Sequence, residues 1–421
     1  AVGMTRKWDA REAGREVARN TIKDLKTPPS FIVLFSTIHY KDHGGFQEFL
    51  DGVWDVIPEG TPLIGGTVAG FMNNYGCFTH GASALAVSYP NMDISIGCGK
   101  NTKRNPQKAA ISSSKSIKED LKETSYSNKF LLNLVSGPVM PNIPGFGQKK
   151  IIKSGIISKI AIPVFDFSQL VFQKGVGRED ELFESLVNLL SDYTMIMGTL
   201  VDNNKGIKNY QFFNDKILIN HTVNLGFSSD LATRVHTTHG MNRTNIEFDI
   251  TKISRNKRVL HEINGRPAVD EITNLLGWPD DFIDDETMYK TILYYPILVK
   301  NKDRESPVVM PFIMKDSIMI PCVFEEGRSC VLRMSGKDII NAITENLEYF
   351  NDVDPEFGIF SACATILETL GNDVYRIRDN IVRYFKEKPF IMFWAAGEAS
   401  YSSNDIMNYA NMSFNTAIFG K

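Results

Sequence analysis

Phe31-Ile-Val-Leu-Phe-Ser-Thr37, followed by an amphipathic stretch and then by Leu63-Ile-Gly-Gly66, is the passage from which the fold of this 421-residue chain is read. Both ends are continuous apolar runs, the pattern of strands buried on two faces, whereas a half-exposed strand alternates. Between them Phe46, Phe49, Leu50, Val53 and Trp54 recur at i, i+3, i+4, i+7 and i+8, the apolar stripe of a helix. Strand, helical crossover and second strand make a βαβ unit with parallel strands.

The pattern returns twice. Phe130-Leu-Leu-Asn-Leu-Val135 leads into Ser136-Gly137, a helix aligned on Leu182, Phe183, Leu186, Leu189 and Leu190, and the run Met195-Ile-Met-Gly198. Gly358-Ile-Phe-Ser361 and Cys363 lead into a helix aligned on Val374, Ile377, Ile381, Val382 and Phe385, then Phe390-Ile-Met-Phe-Trp-Ala-Ala-Gly397-Glu398. The middle unit is stretched by an insertion. Each closing glycine precedes a further strand candidate: 84–89, 217–225 and 414–419.

Different material separates the second unit from the third. A helix opens at Gly265-Arg266-Pro267 and closes before Gly277, with proline near the first helical position. Short, proline-bearing strands are expected over 292–299, 308–314, 318–324 and 330–334. Ser335 and Asp338 then read as a capping box opening a helix through Phe350. The expectation is an α/β protein of two domains, 1–240 and 241–421, built from repeated βαβ-like units with mixed sheets plus a β-meander segment.

A composition of 43% hydrophobic and 23% charged residues is that of a folded chain. Forty-six Lys and Arg against 49 Asp and Glu give a net charge of -3, which makes neither nucleic acid nor anionic lipid a default partner. The basic stretch 100–129 reads as a solvated helix and its approach. Five scattered cysteines without a CxxC pair support neither a disulfide framework nor a zinc ribbon, and point to a reducing, cytoplasmic setting. The apolar run Ile391 to Ala396 falls far short of the ~18 to 20 residues of a membrane helix.

Six segments in order, Leu63-Ile-Gly-Gly-Thr-Val-Ala-Gly70, Gly81-Ala-Ser-Ala-Leu-Ala-Val87, Glu262-Ile-Asn-Gly-Arg-Pro-Ala268, Phe360-Ser-Ala-Cys363, Ala396-Gly-Glu398 and Asn415-Thr416, resemble the FIST family of F-box and intracellular signal transduction proteins. The resemblance covers nearly the whole chain, with 1–240 corresponding to the N-terminal and 241–421 to the C-terminal FIST domain. Two departures stand out. The family continues Phe-Ser-Cys with Gly-Arg, whereas this chain inserts Ala362 and follows Cys363 with Ala364-Thr-Ile; and Phe414 stands where the family tends to carry a histidine. The resemblance implies a small-molecule sensory module for ligands such as amino acids, and a signal from it would pass through a separate partner protein or a change in its own assembly.

Apart from the resemblance, ligands of parallel sheets bind beyond the carboxyl ends of the strands. Each unit puts small residues there: Ser36, Thr37, Gly65, Gly66 and Thr67 in the first, Ser136, Gly137 and Gly198 in the second, Ser361, Cys363, Gly397 and Glu398 in the third. Asn415 and Thr416 lie on the neighbouring strand. The expected site is one hollow walled by these corners, with Glu398 facing a ligand ammonium and no metal, cofactor, nucleic acid or membrane as partner. His39/His43 and His236/His239 lack the further ligands of a metal site, and Gly175-Val-Gly177-Arg-Glu-Asp180 reads as a helix start rather than a phosphate loop. Two rival readings are a thiol enzyme using Cys363 as nucleophile, which needs a base, and a scaffold that binds only protein.

Overall fold

The computed structural model describes residues 1–139, 151–202, 208–279, 291–402 and 405–421. Each expected βαβ unit forms with its strands parallel: Phe31–Ser36 beside Leu63–Thr67, Asn128–Ser136 beside Thr194–Leu200, and Pro355–Cys363 beside Phe390–Ala395. On the other flank of each first strand the return strand adds antiparallel, as Ala82–Val87, His221–Ser229 and Ser413–Gly420. An edge strand preceding each unit closes that side: Val2–Thr5, Met92–Lys100 and Ala232–His239.

The other side is completed by exchange. After its second parallel strand each unit forms a hairpin, and each hairpin joins another unit's sheet. Phe71–Asn73 with Gly76–Phe78 adds to Phe390–Ala395 of the third unit. Gln211–Phe213 with Lys216–Leu218 adds to Leu63–Thr67 of the first. Glu398–Ser402 with Asp405–Ala410 adds to Thr194–Leu200 of the second. Three six-stranded sheets of identical order result, each borrowing two strands. The exchange covers an apolar sheet edge that every unit would otherwise leave open.

Side chains from the three sheets meet in one aromatic core. Phe31 stacks on Phe227 at 5.7 Å, Phe130 meets Phe419 edge to face at 4.8 Å, and Phe419 stacks on Phe357 at 4.4 Å. The chain is thus a mixed α/β protein. Its expected division at 240 falls between the strands Ala232–His239 and Met241–Ile253, and two of the six-stranded sheets hold strands from both sides of it.

The inserted material folds into a nine-stranded sheet. Three expected strands differ in extent. That over 292–299 begins only at Ile297, after Pro296; that over 308–314 divides into Arg304–Val308 and Phe312–Met314 around Pro311, which has no N–H for a ladder; and that over 318–324 shrinks to Ser317–Met319 before Pro321. The run 217–225 breaks at Asn220, whose φ of +58° turns the chain into a new strand. The helix after Pro267 spans Ala268–Leu275, and the Ser335 hydroxyl accepts from the Asp338 amide at 3.2 Å to start Gly336–Glu348. Among the described residues no helix is long and apolar enough to cross a membrane.

Candidate functional site

The carboxyl ends of all three parallel pairs border one cavity of about 630 Å³. Ala69 and Thr79 come from the first unit, Pro138, Val201 and Asp202 from the second, and Ala364, Thr365, Ala395 and Ala396 from the third. The inserted region closes it with Leu293, Val309, Pro311, Phe312 and Pro321. Most of this wall is apolar. Glu179 and Asn411 bring the chemistry.

Glu179 opens the helix Glu179–Leu189, where an acid in the first turn complements the partial positive charge of exposed amides. The glycines before it make the entry possible. Gly177 has φ of +91°, and a Cβ there would lie 2.1 Å from Glu179 Oε2, so no other residue lets the carboxylate fold back against the chain. Asp180 and Glu181 pin the helix start by receiving the buried Arg258 guanidinium at 2.6 and 2.9 Å, while Arg258 also donates to the Pro321 carbonyl at 2.9 Å. Burial works to raise the Glu181 carboxyl, but hydrogen bonding from Arg178 and the charge of Arg258 hold it at about 2.

Glu179 Oε1 receives the Tyr409 hydroxyl at 3.4 Å, while Oε2 is buried without a partner. Burial, reinforced by Asp180, pushes its carboxyl up to about 7 despite the opposing charges of Arg258 and Lys103. Lys103 is itself buried and brought down to about 8 by desolvation; its ammonium donates to Ser136 Oγ at 3.1 Å and Asn220 Oδ1 at 3.4 Å, both neutral acceptors.

A second polar group surrounds Gly397. Its carbonyl accepts from the Thr199 amide at 2.9 Å, and a Cβ on it would approach the Tyr409 hydroxyl, Thr199 Oγ1 and Asn411 Nδ2 at 3.2, 3.3 and 3.5 Å. Asn411 Nδ2 donates to the Ala396 carbonyl at 3.2 Å, leaving Asn411 Oδ1 buried and unpartnered. Thr199 Oγ1 and Glu398 Oε1 are likewise buried without partners. Four unsatisfied oxygens on adjoining residues are uncommon, because each buried orphan costs about 1 to 3 kcal/mol.

None of the residues singled out from sequence lines this cavity; Pro138, Ala364 and Ala396, the chain neighbours of Gly137, Cys363 and Gly397, do. Glu398 is fully buried, its Oε2 accepting from Ser413 Oγ at 3.2 Å, and desolvation holds its carboxyl well above the usual range. Ser361 Oγ donates to the Met197 carbonyl, and Asn415 Nδ2 donates to Ser361 Oγ and to the Ala399 carbonyl, so these two knit strands together. Thr416 Oγ1 donates to Asn346 Oδ1 at 2.7 Å. Gly198 lies against the Phe393 ring, and Gly137 lies against the Leu200 carbonyl. Ser136 meets Lys103 and Asn209.

In the first unit, Gly65 and Gly66 admit the close approach of Leu34 and Tyr210 backbone, Thr67 Oγ1 accepts from the Tyr210 amide, and the Ser36 hydroxyl donates to the Thr37 carbonyl. Thr37 Oγ1 contacts Gly81 and His39. His39 sits on the short helix Ile38–Asp42 and His43 just past its end, both against Trp8, and His236 stacks on Tyr349. Cys363 lies at the end of its strand with Thr365 and Met412 beside its sulfur; burial, with the Glu398 carboxyl adding, pushes its thiol up to about 12, the reverse of an activated nucleophile. Glu179, Asn411, Tyr409 and Lys103 were not singled out from sequence. The one signal for Glu179 is its place directly after the Gly175-Val-Gly177-Arg turn.

Three repeated sheets around one cavity define a mixed α/β protein. The chain matches the FIST N domain over residues 30–266, more than half its length, and it belongs to the FIST family of sensory domains in signal transduction. A comparison with curated proteins returned no match. Among solved structures, PurLQS from Thermotoga maritima aligns over 100% of this chain and 72% of its own at 11% identity, with a TM-score of 0.19, which carries no argument about fold.

Proposed function

We propose that this protein senses a small polar molecule bearing N–H or O–H donors, an amino acid or a similar amine, held in the cavity between the three sheets. The observation that carries the reading is the pair of unpartnered oxygens on residues of the cavity wall, Glu179 Oε2 and Asn411 Oδ1. Carboxylate and amide oxygens are acceptors, so the complementary guest is a donor. An apolar wall with a few convergent polar groups is the usual make-up of a small-molecule site. Glu179, half ionised near neutrality, pairs with a cationic amine. Cys363 with its raised thiol takes no part in the reading.

Thermal shift against a panel of amino acids, amines and carboxylates tests it. A guest at 100 times its dissociation constant adds about 2.7 kcal/mol of stability. Donor-bearing amines are expected to raise the melting temperature, and Asn411→Leu to remove most of the rise. A panel in which no amine or amino acid stabilises the protein overturns the reading in favour of a protein-binding scaffold.

A further inference from the structure

The helix Gly155–Val171 is apolar on the side it shows to water. Its inner face carries Ser158, Ala161, Phe165 and Ser168, all buried, with Ala161 and Phe165 packed in a cluster that includes Ile152, Val176 and Phe312. Its outer face carries Ile156, Ile160, Pro163, Phe167, Leu170 and Val171, which at 3.6 residues per turn share one stripe. Ile156 is 77% exposed, Ile160 and Phe167 59% each, and Phe172 just beyond the helix 61%. An ordinary surface helix has the opposite pattern, and a continuous apolar stripe marks an interaction site.

The charge around the stripe is one-sided. Over 151–178 the sequence carries four Lys or Arg, of which Arg178 is paired with Glu181, against a single acid. Lys153 and Lys174 bracket the stripe, are exposed, and form no ion pair among the described residues. Arg104 adds a cation at the carboxyl end of the helix, where its guanidinium donates to the carbonyls of Leu170 and Val171 at 2.6 Å each.

We propose that this helix docks the protein on an anionic lipid surface, lying in the interface without crossing it. Seventeen residues make a helix about 26 Å long, and at a width of ~10 Å the stripe offers about 260 Å², far below the ~800 Å² per partner of a stable protein interface. A second copy would also bring lysines against lysines. A bilayer interface takes such a helix readily: the apolar side chains enter the boundary between headgroups and acyl chains, and the lysines stay among anionic headgroups. The net charge of -3 on the whole chain does not oppose this, because fields are screened beyond ~8 to 10 Å and only the local cations face the lipid.

Co-sedimentation of the full chain with vesicles tests the assignment. Binding is expected to vesicles of phosphatidylcholine mixed equally with phosphatidylserine, and to be at least about tenfold weaker to phosphatidylcholine alone or at raised salt. The pair Ile160→Glu and Phe167→Glu, both at exposed positions, is expected to abolish binding with an unchanged melting temperature. Lys153→Glu with Lys174→Glu, which keeps the stripe, weakens it severalfold and carries the test should the first pair fail to fold. Equal retention on both kinds of vesicle, or full retention of either variant pair, overturns the proposal. So does a wild-type dimer in sedimentation velocity that the Ile160→Glu and Phe167→Glu pair dissociates, which would assign the face to a second copy.

Discussion

Glu179 couples the site to pH. Its carboxyl, raised to about 7 in the fold, is protonated more readily there than in the unfolded chain, where 4.5 is usual. Stability from this group is therefore full below about 4.5 and falls as pH rises through 7, by an amount bounded at roughly 3 kcal/mol. Lys103 acts in a separate window: with its ammonium brought down to about 8 from 10.5, the fold gains stability as pH rises between those values. Urea melts at pH 5 and pH 8 are expected to show the higher stability at pH 5, and Glu179→Gln to flatten the difference. The same ionisation predicts that amines bind more tightly as pH rises through 7, a trend that Glu179→Gln removes in a titration by calorimetry. Cys363 gives a contrasting expectation: with its thiol at about 12 and its sulfur buried, iodoacetamide at neutral pH spares it in the native protein and labels it after denaturation. Rapid native labelling there would revive the thiol-enzyme reading.

Single elements are held in place by close packing and by one buried ion cluster. A methyl at Gly198 would sit 2.2 Å from Phe393 Cε2, and the ring, pressed between sheets against Phe35 at 4.3 Å, has little room to move. Gly198→Ala is expected to cost about 1 to 3 kcal/mol in a denaturant melt. Arg258→Ala strands two acids at the start of Glu179–Leu189 and is expected to cost about 3 to 5 kcal/mol. Because that helix carries Glu179, amine binding should weaken along with stability. At this scale the sequence was readable where period and caps agreed: the stripes at 46–54, 182–190 and 374–385 and the Ser335 cap became helices. It was least readable in the inserted sheet, where prolines and turns cut strands whose apolar runs looked continuous.

Across the whole molecule, the three units are tied by hairpins passed from each to another. A fragment ending at residue 240 would lose the strands Glu398–Ser402 and Asp405–Ala410 from the sheet of its second unit, and would leave Phe71–Phe78 without the third unit's sheet. That fragment is expected to lack a cooperative unfolding transition, while the full chain unfolds in one step by far-ultraviolet circular dichroism. A well-folded, cooperative fragment would show that the halves are independent despite the exchanged strands. The cavity belongs to this scale as well, since its wall draws on every unit and on the inserted region.

The order of apolar runs, stripes and turn residues was enough to write down three βαβ units, because secondary structure follows local periodicity and every run is long enough to state its own period. The family could be read from the same short segments. The exchange of hairpins could not, since a hairpin's sequence says that two strands pair with each other and nothing about whose edge they will join. The polar floor escaped for a related reason. Glu179 and Asn411 lie far apart along the chain, and an oxygen becomes an unpaired acceptor only once folding has removed water from it and left it without another donor.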